Sequence, residues 1–296
     1  MMNTLSTLSL ALVLAGLATV HGEATYNVTV YNAAGQSVPA TTTSLAGSSA
    51  STPSPISSRS SSSDEASSRR QTSTTTYFSE SWCGLVQQNP PAAGTYDQVV
   101  AEWTLPALAS GAVVNSSFQL AQGVGIDGFT TSAECSGGLF GGTAYTFGDD
   151  GEVDTIYAWW EYAPEGRTAV ALEASVGDVI KTWTTVIGLQ RGTVLVENLS
   201  NSWTVVVDID GSTTTATLCG ATAQWLNENL VPGSEPYPQF DTFEFTDCYT
   251  ESTEGSVGYL DGASVVEGGT LQSNGPFCVP SEVSSQVLEF TYSEEF

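Results

Sequence analysis

The chain has 296 residues, 41% of them hydrophobic and 10% aromatic, with 32 acidic side chains against 6 basic ones and a formal charge of -26. So few cations exclude nucleic acid and an anionic membrane surface as partners, because both are held by clustered Lys and Arg. Charged residues are only 13% and 29 residues are glycine, which describes a folded acidic domain rather than a disordered acidic tail.

Residues 1–22 contain the apolar run Leu10-Ala11-Leu12-Val13-Leu14, with small residues at cleavage points after Ala18 or Gly22. The stretch is too short to span a membrane and reads as a secretory signal peptide, which makes the protein extracellular. It also holds the single histidine, His21. Removal after Gly22 leaves a mature chain without histidine. Ser-His-Asp and Cys-His catalysis then drop out together with histidine-ligated metals. Carboxylates remain as the main groups for proton transfer.

Residues 23–70 form a second unit. Segment 41–74 is rich in Ser and Thr, with Pro53 and Pro55, and buries too little surface to offset its ordering entropy. The unit ends on Arg69-Arg70, read either as part of a plain linker or as the cleavage site of a propeptide. Three acidic and three basic residues fall in the first 70, so residues 71–296 carry 29 acids against Arg167, Lys181 and Arg191.

The remainder is expected to be an all-β domain of residues 71–296. Val99, Ala101 and Trp103 alternate with Val100, Glu102 and Thr104, and Val179, Lys181, Trp183, Thr185 and Ile187 form another period-2 run, as do Val194, Val196 and Asn198. Further β-rich segments are 168–176, 203–209, 213–218, 240–246 and 286–292, separated by turns such as Asp149-Asp150-Gly151. Only 222–230 reads as capable of a helical turn. Many short strands in one unit of about 220 residues argue for an antiparallel β-sandwich. Five cysteines in a secreted chain imply disulfides with one left over, and spacing alone pairs none of Cys83, Cys135, Cys219, Cys248 and Cys278. Glycan acceptors occur at Asn27, Asn115 and Asn198. The acidic turn Asp149–Asp154 lacks the spacing of a calcium loop.

An ordered set of segments resembles the glutamic peptidases (the eqolisins, peptidase family G1), secreted acid endopeptidases known mainly from fungi. The segments are Ser81-Trp82-Cys83-Gly84, Tyr96-Asp97-Gln98-Val99, Val124-Gly125-Ile126-Asp127-Gly128 and Tyr157-Ala158-Trp159-Trp160-Glu161-Tyr162-Ala163-Pro164-Glu165. They continue with Val196-Glu197-Asn198-Leu199-Ser200, Leu218-Cys219, Ala223-Gln224-Trp225 and Phe245-Thr246-Asp247-Cys248. The resemblance implies a jelly-roll, concanavalin-like sandwich of two long curved sheets with a cleft on the concave face. It implies bridges Cys135–Cys219 and Cys248–Cys278 with Cys83 free, and cleft positions for Trp159, Glu161 and Asp127. It further implies hydrolysis of peptide bonds in acid by a monomer, without metal or cofactor.

The family works with a glutamate as general base and a glutamine that supports the oxyanion. Here the glutamate's place, just before Trp225, is held by Gln224, whose amide has no useful basicity. The glutamine's place falls on Phe140, and no glutamine stands between Gln122 and Gln190. Two readings follow. Either the dyad has relocated, with Gln224 supplying the amide and Glu161, Glu134 or Glu102 the base, or the protein is a pseudoenzyme whose groove binds peptide or glycan. A glycosidase would need two carboxyls roughly 5–9 Å apart, which Glu161 and Glu165, about 13 Å apart on one strand, do not offer.

Twenty-nine carboxylates against three cations repel one another once ionised, and in acid they protonate without leaving a large positive charge. The expected outcome is a higher melting temperature near pH 4 than near pH 7. A melting temperature that climbs steadily from pH 4 to 7 contradicts it.

Overall fold

The structure, a computed structural model, describes residues 23–44, 76–91, 94–108, 119–129, 134–148, 153–230, 238–269 and 276–293. The signal stretch, most of the Ser/Thr-rich segment with Arg70, the Asn115 acceptor and the turn at 149–152 lie outside the described residues. Among those described there are nineteen strands and no helix. The chain opens with β1 (Thr25–Tyr31), β2 (Ser37–Val38), β3 (Thr42–Ser44), β4 (Thr76–Ser79), β5 (Trp82–Gln87) and β6 (Tyr96–Thr104). There follow β7 (Gln119–Asp127), β8 (Gly138–Phe147), β9 (Val153–Ala163), β10 (Thr168–Ala171), β11 (Val179–Gly188), β12 (Arg191–Asn198) and β13 (Trp203–Asp210). The last six are β14 (Ala223–Asn229), β15 (Phe243–Ser252), β16 (Val257–Gly258), β17 (Ser264–Gly268), β18 (Cys278–Ser284) and β19 (Val287–Tyr292).

Pairing arranges them as two sheets. The first runs β3-β10-β9-β8-β7-β14-β5-β17-β4. The second runs β2-β1-β13-β12-β11-β6-β15-β19-β18, with the short β16 paired on β15. Every pair is antiparallel except β4–β17. A single contact, Gly268 opposite Cys278, joins the two sheets at one side. The expected all-β sandwich is therefore present. Three of its strands, β1 to β3, come from the segment that the composition sets apart from the domain.

Period-2 alternation explains the layers. Val99, Ala101 and Trp103 of β6 point between the sheets, and Trp103 stacks on Phe245 with centroids 4.7 Å apart. On β9 the inward set is Ile156, Ala158, Trp160 and Tyr162. Tyr157, Trp159 and Ala163 of the same strand belong to a separate apolar cluster with Trp82, Val86, Phe129, Phe140 and Leu226. That cluster occupies the outer face of the first sheet.

Three expectations are corrected. Residues 223–229 form a strand, not a helical turn, because β14 inserts between β5 and β7 and alternates Ala223, Trp225 and Asn227 inward with Gln224, Leu226 and Glu228 outward. Residues 213–218 are irregular and are pinned by backbone bonds from Leu218 to Leu189 and from Gly137 to Thr217. The disulfide expectation is half met. Cys135–Cys219 is present, but Cys278 pairs with Cys83, at a Cα separation of 5.9 Å, and Cys248 is the free buried thiol. Strand register gives the reason. Cys278 lies opposite Tyr292, whereas the amide of Cys248 bonds to Gln286 near the other end of β19. Six residues of strand put those two levels about 20 Å apart, far beyond the roughly 7 Å that a disulfide spans. Of the glycan acceptors, Asn27 is exposed, while Asn198 is fully buried with its amide donating to Glu173 and Asp178.

Alkylation of the denatured, unreduced protein should label Cys248 alone, and peptide mapping should recover the linked pair Cys83–Cys278. Recovery of a Cys248–Cys278 peptide would contradict this pairing.

Candidate functional site

Three ladder rows cross the outer face of the first sheet. In the first, Gln224 stands opposite Gly125, Gly125 opposite Phe140, and Phe140 opposite Glu161. In the second, Leu226, Gly123, Gly142 and Trp159 follow in the same order. In the third, Glu228, Ala121, Ala144 and Tyr157 do so, with Trp82 on the other side of Glu228. The register therefore brings Gln224, Phe140 and Glu161 into one line, with Trp159 one row away.

Phe140 lies on a bed of glycine. A Cβ on Gly125 would stand 2.0 Å from its ring, and a Cβ on Gly128 or Gly138 would stand 2.7 Å away. The ring is 8% exposed. It fills the space between Gln224 and Glu161, which are separated by three strand spacings, or about 14 Å. The two side chains therefore approach each other only past the ring.

The polar groups beside Phe140 are already engaged. Gln224 donates its amide to the carbonyl of Asp127 and to Thr222 Oγ1. Asp127 has a left-handed backbone (φ 63°). Its carboxylate accepts the N–H groups of Cys219 at 2.7 Å, Gly220 at 2.8 Å and Ala221 at 2.7 Å, with Thr222 at 3.4 Å. Those bonds make Asp127 a clamp on the chain entering β14 and leave its oxygens no free edge for a ligand. The other candidate bases lie elsewhere. Glu102 is on β6 in the second sheet, bound to Lys181 at 2.5 Å, and Glu134 is exposed beside the Cys135–Cys219 bridge.

Glu161 is 1% exposed and belongs to a cluster that the sequence reading missed. Arg167, placed by its position before β10, holds its guanidinium 3.9 Å above the Trp159 ring. One nitrogen, Nη2, donates to Glu161 at 3.3 Å and to Glu228 at 2.8 Å. Trp159 is fixed in turn by its indole N–H, which donates to the Thr143 carbonyl at 3.1 Å. Arg167 and Glu228 carried no local sequence signal: only the placement of β14 beside β7, two strands from β9, brings Glu228 to the guanidinium. Five buried atoms on four side chains of this face have no hydrogen-bond partner: Arg167 Nε and Nη1, Trp82 Nε1, Tyr157 OH and Glu161 Oε1.

One guanidinium serves two carboxylates, of which Glu228 is the nearer and the more exposed. Burial, then the Glu228 charge, outweigh the pull of Arg167 and hold the Glu161 carboxyl up to about 8. In acid Glu161 is therefore protonated, a hydrogen-bond donor and not a base. Burial also raises Tyr157, up to about 12. Among the described residues no group of His, Cys, Asp and Glu is arranged to hold a metal ion, and no helix is long and apolar enough to cross a membrane.

Residues 80–292 match the model of the Peptidase A4 family. The chain belongs to that family, the glutamic peptidases. Among solved structures it resembles Scytalido-glutamic peptidase with a peptide-based transition-state analogue, at 26% identity and a TM-score of 0.59, covering 72% of this chain and 98% of that one. SCP-B, an eqolisin solved with the tripeptide Ala-Ile-His, matches at 25% and 0.57, with 72% and 98% covered. Aspergilloglutamic peptidase from Aspergillus niger matches at 25% and 0.51, with 60% and 99% covered. No curated protein sequence matches the chain.

The sign of the Glu161 shift sets a test. A carboxyl that holds its proton more tightly when folded adds stability below its unfolded value near 4.5, and that stability is lost as pH rises toward 8. Glu161→Gln, which imitates the protonated acid, should match the parent within about 1 kcal/mol at pH 4–5. At pH 8–9 it should be the more stable of the two, by on the order of 1 kcal/mol. Parallel denaturation profiles for the two proteins across pH 4–9 would refute this.

Proposed function

We infer that this is a secreted member of the glutamic peptidase family whose groove, the outer face of the first sheet, binds peptide without hydrolysing it through the family's dyad. One observation carries the reading: the Phe140 ring occupies the row between Gln224 and Glu161. A general base must reach the attacking water within hydrogen-bond distance. Gln224 has no basicity, Glu161 is protonated in acid, and the Phe140 ring stands between the two. A relocated dyad built on this pair lacks both its base and its contact.

The peptide ligand is supported by the lining. Trp82, Tyr157 and Trp159 line this face with amphipathic aromatic side chains, all three buried. The unpartnered donors on Arg167, Trp82 and Tyr157 match the carbonyl oxygens of an extended chain better than they match any cation. Two related structures were solved with peptide-based ligands. Secretion is supported by the two disulfides, which persist in oxidising compartments.

The test is cleavage of denatured protein by the secreted chain, cut after Arg70, from pH 2 to 7. Peptide binding is followed in parallel by tryptophan fluorescence of the parent and of Trp159→Phe. The expected result is no cleavage at any pH, with a saturable fluorescence change that shrinks in the variant. Cleavage by the parent that disappears in Glu161→Gln or Gln224→Ala would overturn the reading in favour of a relocated dyad.

A further inference from the structure

The strands that precede Arg70 are bonded to both sheets. β1 lies along β13 at the edge of the second sheet over seven positions, from Thr25 opposite Asp210 to Tyr31 opposite Thr204. β2 folds back on β1, and β3 then lies along β10 at the edge of the first sheet, with Thr42 opposite Val170 and Ser44 opposite Thr168. A segment of about twenty residues thus reaches from one layer of the sandwich to the other.

The contact is more than a backbone ladder. Ala24 and Val30 are buried in the inter-sheet core, and Val28 and Val38 pack against it. The Ala24 amide donates to Glu165 at 2.7 Å, and the Thr213 hydroxyl donates to the Glu23 carbonyl at 2.6 Å. Tyr26 meets Trp160 edge-on at 5.3 Å. Without this segment β13 and β10 would present bare strand edges, and an apolar strip of the core would open to water. No cysteine precedes residue 83, so only the peptide chain itself ties the segment covalently to the rest.

We propose that residues 23–44 are a strand clip that stays bound after the chain is cut following Arg70. The processed protein is then a two-chain particle whose light chain supplies one edge strand to each sheet. The recognition is strand addition: main-chain bonds give the hold, and the alternate apolar side chains fix the register. The clip also bears on the groove. β3 pins β10, and β10 begins at the residue after Arg167, so the clip helps keep the guanidinium over Trp159. The inference rests on scission at that point and is independent of whether the groove hydrolyses peptide.

The experiment inserts the recognition sequence of a specific protease after Arg70 of the full secreted chain, so that cutting does not depend on the native pair. The cut protein is then run on size exclusion at pH 4–5, with and without denaturant. The expected result is coelution of the light chain with the 71–296 chain in a 1:1 ratio, and separation only in denaturant. The amides of Asn27 and Thr29, which face β13, should stay protected from hydrogen exchange in the cut particle. A Val28→Lys, Val30→Asp double variant should release its light chain after the same cut, while the larger chain keeps its tryptophan fluorescence. Free elution of the parent's light chain, or unprotected amides within a coeluting one, would overturn the proposal.

Discussion

The Asp127 carboxylate is the point on which the outer face of the first sheet is hung. β14 follows β13 in the chain yet sits between β5 and β7, so its register depends on where the incoming loop is stopped. Asp127, at the end of β7, stops it by accepting successive N–H groups of residues 219–222. Such a charge-assisted cluster of short bonds is stronger than a neutral one. The Cys135–Cys219 bridge closes the same corner. With residue 222 fixed, Gln224 must stand opposite Gly125, and through β7, β8 and β9 the line to Glu161 is set. Moving the register by one residue would turn Gln224, Leu226 and Glu228 into the core.

Once that line is drawn, side-chain size decides its chemistry. Gly125, Gly128 and Gly138 clear a hollow that a phenyl ring fills, and Phe140 fills it. A polar side chain there would have water beside it. An aromatic one excludes water from the row and leaves each amide or carboxyl to find protein partners. Gln224 finds the Asp127 carbonyl, and Glu161 finds Arg167. The substitutions at the two dyad positions are thus one physical change. A hollow that could have held a positioned water has become part of an apolar cluster.

Much of the fold was legible because it rests on period-2 alternation, which a sequence displays openly. Val99-Ala101-Trp103 and Val194-Val196-Asn198 show it cleanly, and the structure uses both. Residues 222–230 were misread because a strand buried on both faces need not look like one: Gln224 and Glu228 lie outward yet stay covered, and Asn227 lies inward. Glu228 carried no signal of its own under either reading, since only the long-range register brings it to Arg167. The cysteine pairing was out of reach for another reason. Which strand ends share a level depends on β18 and β19 folding back beside β15, and no local pattern encodes that. The families of residues at Trp159, Glu161 and Gln224 were found through resemblance, but their partners came only from the register.

The three cations after residue 70 show how an acidic chain spends its few positive charges. Arg167 bridges Glu161 and Glu228 above Trp159 on the first sheet. Lys181 bridges Glu102 at 2.5 Å and Asp247 at 2.6 Å on the second, 5.2 Å from the Trp183 ring. Arg191 keeps a looser, exposed contact with Asp210 at 3.8 Å. Each of the first two ties carboxylates from different strands to one point over an aromatic face, where a cation is held by the ring as well as by its counter-ions. Neither is free to meet a phosphate or a lipid headgroup. The deficit of cations that excludes those partners also leaves carboxylates facing one another, as Glu244 faces Glu289 across β15 and β19. Like charges directly opposite on a ladder repel, and protonation removes that repulsion. With so few cations to balance it, the acidic surface gains from losing charge in acid.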